Sequence, residues 1–310
     1  MKRFLLAVFA VVALNTGASR ADQLAPIKLG INKLGAMTNV WIAGQTGIFK
    51  KHGLDVDIRE IPLSDQSIPV LQSKSVDIVL LIPGTAMVAK EQGFDIVLVG
   101  QNETAGTKPP VSNAIMVSTN SSIQSIKDLK GKRLAASSTH GQAFAAMKEL
   151  FQRAGISADD VQLTPAPFTA VADLMRTGQV DAATTLDPYT TQIAKAGIGR
   201  TISWFMLETI PDQPVGSWWA LRSWAQQHKK EVAAFDDSIK ESHDYLNADP
   251  DRAKKAVADY SGLDPALVKD MPLIQWKSKI DPKVWQSLAD MMYRQGELSS
   301  HHDISEYLVR

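Results

Sequence analysis

Ser137, Ser138 and Thr139 place three hydroxyl groups in a row, and His140, Gly141 and Gln142 follow directly. The apolar run Leu134-Ala135-Ala136 stops at these hydroxyls, and an Ala-rich pattern with helical spacing starts just beyond, through Ala143, Phe144 and Met147. That is the outline of a strand delivering the chain into a helix N-terminus. There the first amide N–H groups lack intrahelical partners and the helix dipole concentrates positive charge. Hydroxyl donors, with a glycine that lets a ligand approach the backbone, suit the turn to a small anion or carbonyl held without a permanent cation. One of the hydroxyls can equally serve as a plain N-cap.

Other reactive chemistry is sparse. Asp187 and His140 are the one pair we can offer for acid–base work, and nothing in the sequence requires them to touch. His301-His302 lacks a third ligand at metal spacing. The chain has no Cys, which excludes disulfides, thiolate chemistry and lipid attachment at a cleavage-site Cys. No cofactor, metal or catalytic residue is expected.

The first 21 residues read as an export signal: Lys2 and Arg3, an apolar stretch from Phe4 to Leu14, then Ser19-Arg20-Ala21 before Asp22. The stretch is too short to span a bilayer, and no later run approaches about 18 uninterrupted apolar residues. A soluble periplasmic protein is expected. Removing the signal removes Lys2, Arg3 and Arg20 and no acid, leaving 30 basic against 33 acidic residues, a net charge of −3. No basic stripe survives, so nucleic acid is not an expected partner.

The elements that must position the hydroxyl turn alternate. Strands are expected at 27–32, 54–61, 76–82 and 95–100, with helices between them from Thr38 to Phe49, Ser67 to Gln72 and Ala86 to Gln92. Gln101 to Ser112 turns polar and carries Pro109-Pro110, a crossing between domains. Beyond it the pattern restarts, with strands at 113–118, 134–136, 161–164 and 180–185. A second crossing is expected between Arg200 and Gly216, followed by a returning strand, Ser217-Trp218-Trp219-Ala220-Leu221. Helices then fill 225–247, 250–260, 265–270 and 282–295. The expected organisation is a signal at 1–21, domain I from 22–104 and 212–310, and domain II from 105–211.

Three stretches resemble a known family. Lys50-Lys51-His52-Gly53-Leu54-Asp55-Val56, Ser125-Ile126-Lys127-Asp128-Leu129-Lys130-Gly131-Lys132-Arg133, and Gly178-Gln179-Val180-Asp181-Ala182 with Asp187-Pro188-Tyr189 occur in this order. They are similar to motifs of the nitrate/sulfonate/taurine-type (NMT1/THI5-like) substrate-binding proteins of ABC importers, over essentially the whole chain after the signal. The resemblance implies a type II periplasmic-binding-protein-like α/β fold. Two mostly parallel sheets flanked by helices would be hinged by two crossover segments, with the ligand in the cleft between domains. It further implies delivery of an unaltered ligand to importer permease subunits with a cytoplasmic ATPase. A monomer is expected.

Loops at the carboxyl ends of parallel strands make the crevice in such folds. The candidates are therefore Lys33, Leu34, Gly35, Met37 and Thr38 after the first strand, and Pro83, Gly84 and Thr85 after the third. Ser137, Ser138, Thr139, His140, Gly141 and Gln142 follow, with Asp187 and Tyr189 in the second domain. Trp218 and Trp219 enter from the returning strand. Neighbours on a strand face opposite sides, so only one of the two tryptophans should reach the cleft. Trp41, Phe144 and Phe168 read as core. Lys33 is the charged residue best placed to neutralise an anion. The expected ligand is a small organic anion, an alkanesulfonate or taurine-like molecule first, with its head group on the 137–142 amides. Aromatic carboxylates, nitrate or bicarbonate, and a neutral pyrimidine precursor stay among the alternatives, with an enzyme of the same fold as the remote one.

Overall fold

The computed structural model describes residues 24–61 and 66–308. The export signal expected at 1–21 lies outside the described residues. Ten strands are present: β1 (Ala25–Ile31), β2 (Leu54–Glu60), β3 (Ile78–Leu81), β4 (Ile96–Thr104), β5 (Ala114–Ser118), β6 (Arg133–Ala136), β7 (Gln162–Pro165), β8 (Ala182–Thr185), β9 (Gly199–Ser203) and β10 (Pro214–Leu221). They form two sheets, of order β2-β1-β3-β10-β4 and β7-β6-β8-β5-β9.

The sheets share one plan. In the first, β1 runs parallel to β2 and β3, while β10 is antiparallel to both β3 and β4. In the second, β6 runs parallel to β7 and β8, while β5 is antiparallel to β8 and β9. Each sheet therefore holds one reversed strand, the one that arrives from the other sheet. The chain crosses between sheets twice, after β4 and again before β10.

Helices cover the sheets because their apolar residues recur at helical spacing. The helix Gly141–Arg153 buries Phe144, Ala145, Ala146, Met147, Leu150 and Phe151, so that Ala143, Ala146, Met147 and Leu150 make an i, i+3, i+4, i+7 stripe. Asp249, Asp264 and Asp281 each cap a helix whose first residue is Pro, accepting backbone N–H bonds from Asp251 and Arg252, from Ala266 and from Lys283. Pro at that position loses no hydrogen bond, and the carboxylate fills the open donors. A continuous apolar cluster joins the sheets on one side, running from Leu81 and Met87 through Phe144 and Met147 to Trp285 and Met292.

Four local expectations fail. The helix read from Thr38 to Phe49 is two, Thr38–Gln45 and Ile48–Lys51, divided at Gly47, whose φ of 75° is left-handed. β4 does not end at Gly100 but continues to Thr104, into the stretch read as a crossing. The expected second crossing contains β9 and a helix, Phe205–Thr209. The helix read over 225–247 is two, Arg222–Gln227 and Lys229–Asn247, divided at His228.

Candidate ligand-binding cavity

The like-facing strand ends of both sheets open onto one cavity of about 450 Å³. Leu34, Gly35 and Ala36 come to it from the end of β1, Ile82 and Thr85 from the end of β3, and Glu103, Thr104 and Ala105 from the end of β4. The second sheet contributes Ser137 to Ala143 without Thr139 after β6, Phe168 after β7, and Leu186, Asp187 and Pro188 after β8. Ser112 and Asn113 precede β5 and Val215 lies near the start of β10, so the reversed strands present their beginnings where the others present their ends. The loop 271–275 forms a further wall.

Nine of the expected site residues line this cavity: Leu34, Gly35, Thr85, Ser137, Ser138, His140, Gly141, Gln142 and Asp187. The other nine do not. Lys33 is exposed and lies outside the lining. Met37 and Thr38 are buried, the Thr38 hydroxyl donating to the Gly35 carbonyl at 2.7 Å. Pro83 and Gly84 are buried in the first turn of a helix, and Thr139 is exposed outside the cavity. Tyr189 stacks on Phe168 at 6.2 Å, and it is Phe168, read as core, that lines the cavity.

Neither tryptophan reaches the cavity. Trp218 is fully buried edge-on to Phe235, and Trp219 is fully buried against Trp285 and Tyr307. β10 is an interior strand covered by helices on both faces, and both faces of such a strand are core.

The hydroxyl turn is engaged within the chain. Ser138 donates its hydroxyl to the His140 carbonyl at 3.0 Å and accepts the His140 N–H at 3.3 Å. The Gly141 N–H, the first of the helix, donates to Glu297 Oε2 at 2.6 Å. Glu297 Oε1 pairs with Lys148 at 2.5 Å. A carboxylate of the chain itself therefore holds the amide that sequence reasoning reserved for a ligand. Gln142 is also spoken for. Its Oε1 accepts the Gly84 N–H at 3.1 Å, and its Nε2 donates to Pro214 O at 2.7 Å and to Gln213 Oε1 at 3.2 Å. It braces the second sheet's helix against the first sheet's turn and the second crossing.

Two carboxyl groups face the cavity, and among its lining residues there is no Lys or Arg. Glu103 lies over Gly216, where a Cβ would approach its Oε1 to 3.0 Å, so the missing side chain makes the room. Burial pushes the Glu103 carboxyl up to about 7. Asp187 accepts from the Thr191 N–H and hydroxyl at 3.1 and 2.6 Å through Oδ1, while its Oδ2 is buried without a partner. Burial raises its pKa, opposed by the Thr191 bonds.

Sequence reasoning missed Glu103, Ser112, Asn113 and the 271–275 wall. For the wall a signal exists: Met271-Pro272-Leu273-Ile274 is an apolar run outside any periodic helix. Glu103 gave none, since an acid in a polar stretch reads as a solvated loop.

Two sheets of one strand plan, joined twice and enclosing a cavity at like-facing strand ends, have the architecture of the periplasmic binding protein fold. The chain belongs to the NMT1/THI5-like family, whose model matches residues 35–253. Over 288 residues it is 25% identical to a putative thiamine biosynthesis protein of Haemophilus influenzae, with 86% of each chain covered. Among solved structures, the periplasmic aliphatic sulphonate binding protein SsuA of Escherichia coli superposes with a TM-score of 0.77 at 20% identity, covering 92% of this chain and 97% of that one. The fold also serves an enzyme: the desulfurization enzyme DSZB superposes with a TM-score of 0.67 at 14% identity, covering 91% and 96%.

Proposed function

We propose that this chain is the substrate-binding component of an ABC importer, an exported and monomeric periplasmic receptor. On this reading the two sheet units act as the jaws of a clamp, residues 22–104 with 212–310 against 105–211, and they pass a small organic molecule unaltered to the permease. The observation that carries the reading is the cavity itself, built from the strand ends of both sheets and from both crossings. Such a site closes by rotation about the crossings, burying the ligand from two sides. Family membership and the superposition on a sulphonate binder support the same role.

The enzyme alternative gains nothing from the site. His140 bonds Ser138, Asp187 bonds Thr191 through Oδ1, and no hydrogen bond joins the one candidate pair among the described residues. His302 bonds Glu91 and Tyr307, and His301 lies against the Tyr293 ring. No helix among the described residues is long and apolar enough to cross a membrane.

The sulfonate reading draws on the SsuA likeness, but the cavity lining has no Lys or Arg side chain to meet a sulfonate head group. An apolar body is favoured by the rim, where Leu34, Ile82 and Leu273 stand 51%, 49% and 37% exposed. Native mass spectrometry of the protein purified from the exporting cell tests the role. One small molecule per chain, released unchanged on denaturation, is the expected result. Conversion of that molecule on incubation would replace the receptor with a catalyst.

A further inference from the structure

The ligand's chemical class can be read from what the cavity supplies and what it lacks. An anion entering it would meet the carboxyl groups of Glu103 and Asp187 and no Lys or Arg side chain. Where those carboxyl groups are ionised they repel an anion strongly in a space of restricted solvation, and desolvating an anion without a paired cation is costly in itself. The helix N-terminus has its first N–H on Glu297, which leaves the N–H groups of Gln142 and Ala143 as its remaining donors. The Ser138 hydroxyl is turned back on His140. Lys33, the cation sequence reasoning assigned to the task, lies outside the lining.

Two carboxyl acceptors remain open, beside the hydroxyls of Thr85 and Ser137 and the amide of Asn113, which can donate as well as accept. Among the described residues the Glu103 side chain has no hydrogen bond or ion pair, while its backbone is held in β4 between β10 and Trp276. Asp187 keeps one oxygen without a partner. The rest of the wall is largely apolar, through residues such as Leu34, Ile82, Met206, Val215 and Leu273. Asp187 Oδ2 is a buried acceptor with nothing to accept, which is costly to leave that way. A donor on the ligand satisfies it.

We propose that the cavity selects a small, mainly apolar nitrogen compound whose neutral or protonated head donates N–H hydrogen bonds, with Glu103 as its principal acceptor. This rests on the receptor reading above and replaces the organic anion with the opposite head-group polarity. Recognition then works by rejection as well as attraction: sulfonates and carboxylates of similar shape are excluded by the two carboxyl groups.

Three probes of similar size separate the cases: benzamidine, benzoate and propanesulfonate. Benzamidine and benzoate share a ring and a planar head, one donating and the other accepting. Calorimetry and thermal shift on the whole protein are expected to show benzamidine binding at least about tenfold more tightly than benzoate, with propanesulfonate silent. In Glu103→Gln the benzamidine preference is expected to shrink to about threefold or less, since the amide keeps the shape and loses the charge. The variant's melting curve controls for folding, and the wild-type preference alone tests the class should it fail to fold. Tighter binding of benzoate or propanesulfonate than of benzamidine would overturn the donor-bearing class and leave the receptor standing. So would a preference unaltered in a folded Glu103→Gln. Silence of all three at saturating concentration would count against the cavity as a binding site, and with it the receptor reading.

Discussion

Glu103 couples the site to pH through a sign that can be worked out. Its folded pKa is pushed to about 7 from 4.5. Between those values the folded chain keeps a proton that the unfolded chain has released, so stability falls as pH rises across the window. Glu103→Gln is expected to flatten that part of the profile, read as melting temperature against pH. Wild-type and variant curves running parallel through the window would show a carboxyl solvated as in water. The tryptophans behave in the opposite way to their sequence reading. Trp219→Ala removes a fully buried ring and is expected to cost about 3–5 kcal/mol in urea unfolding; a cavity-lining Trp would instead cost affinity and little stability. Residue types told which side chains were large and apolar. Whether they faced a ligand or a core depended on how many neighbours covered β10, and alternation along a strand carries no such information. Glu103 was hidden for the complementary reason. Gln101, Asn102 and Thr104 look like a solvated loop, yet each is buried with a distant partner, Trp285, Asn39 and Asp212 respectively. Partners far apart in sequence leave no local trace.

At the scale of elements, the helix Gly141–Arg153 is clasped from the other side of the cavity. Glu297 accepts from its first N–H and pairs with Lys148 two turns along, in a setting where the two side chains are 10% and 20% exposed. Glu297→Gln is expected to cost about 1.5–3 kcal/mol in urea unfolding, the range for hydrogen bonds to charged groups. Combined with Lys148→Met the two losses should be less than additive, because both remove one contact. Strict additivity would show that the clasp is not formed in solution. The element order itself was largely legible. Strand–helix alternation, the Asp-Pro helix starts and the hydroxyl turn all stand in the sequence. β9 was not, since Gly199-Arg200-Thr201-Ile202-Ser203 is too short and too mixed to alternate cleanly. The halves of the cavity at 34–36, 137–142 and 187 were legible because strand ends predict them. The wall at 271–275 comes from a connection between helices, and no rule about strand ends points there.

At the scale of the molecule, Gly84 marks where the two sheet units come close. A Cβ there would lie 2.9 Å from Gln142 Cβ and from Met292. Gly84→Val is expected to cost about 1–3 kcal/mol by overpacking and to hold the units apart. Small-angle scattering should then give a larger radius of gyration than wild type under the same ligand conditions; an identical value would mean the neighbouring side chains absorb the methyl groups. Two units and two crossings were foreseeable from the restart of the βα pattern. The direction of β5 and β10 was not, because a strand's residues read the same whichever way it pairs.

That exchange of reversed strands has a consequence for assembly. β3 and β4 never touch; β10 lies between them, and it is synthesised only after the whole second sheet. A chain halted near residue 210 would therefore expose two facing sheet edges rich in Ile, Val and Leu, a template for wrong pairing. The first part of the molecule to be made is thus among the last to be completed. On the receptor reading proposed above, in which the chain is exported, keeping it unfolded until its carboxyl half has emerged avoids that exposure.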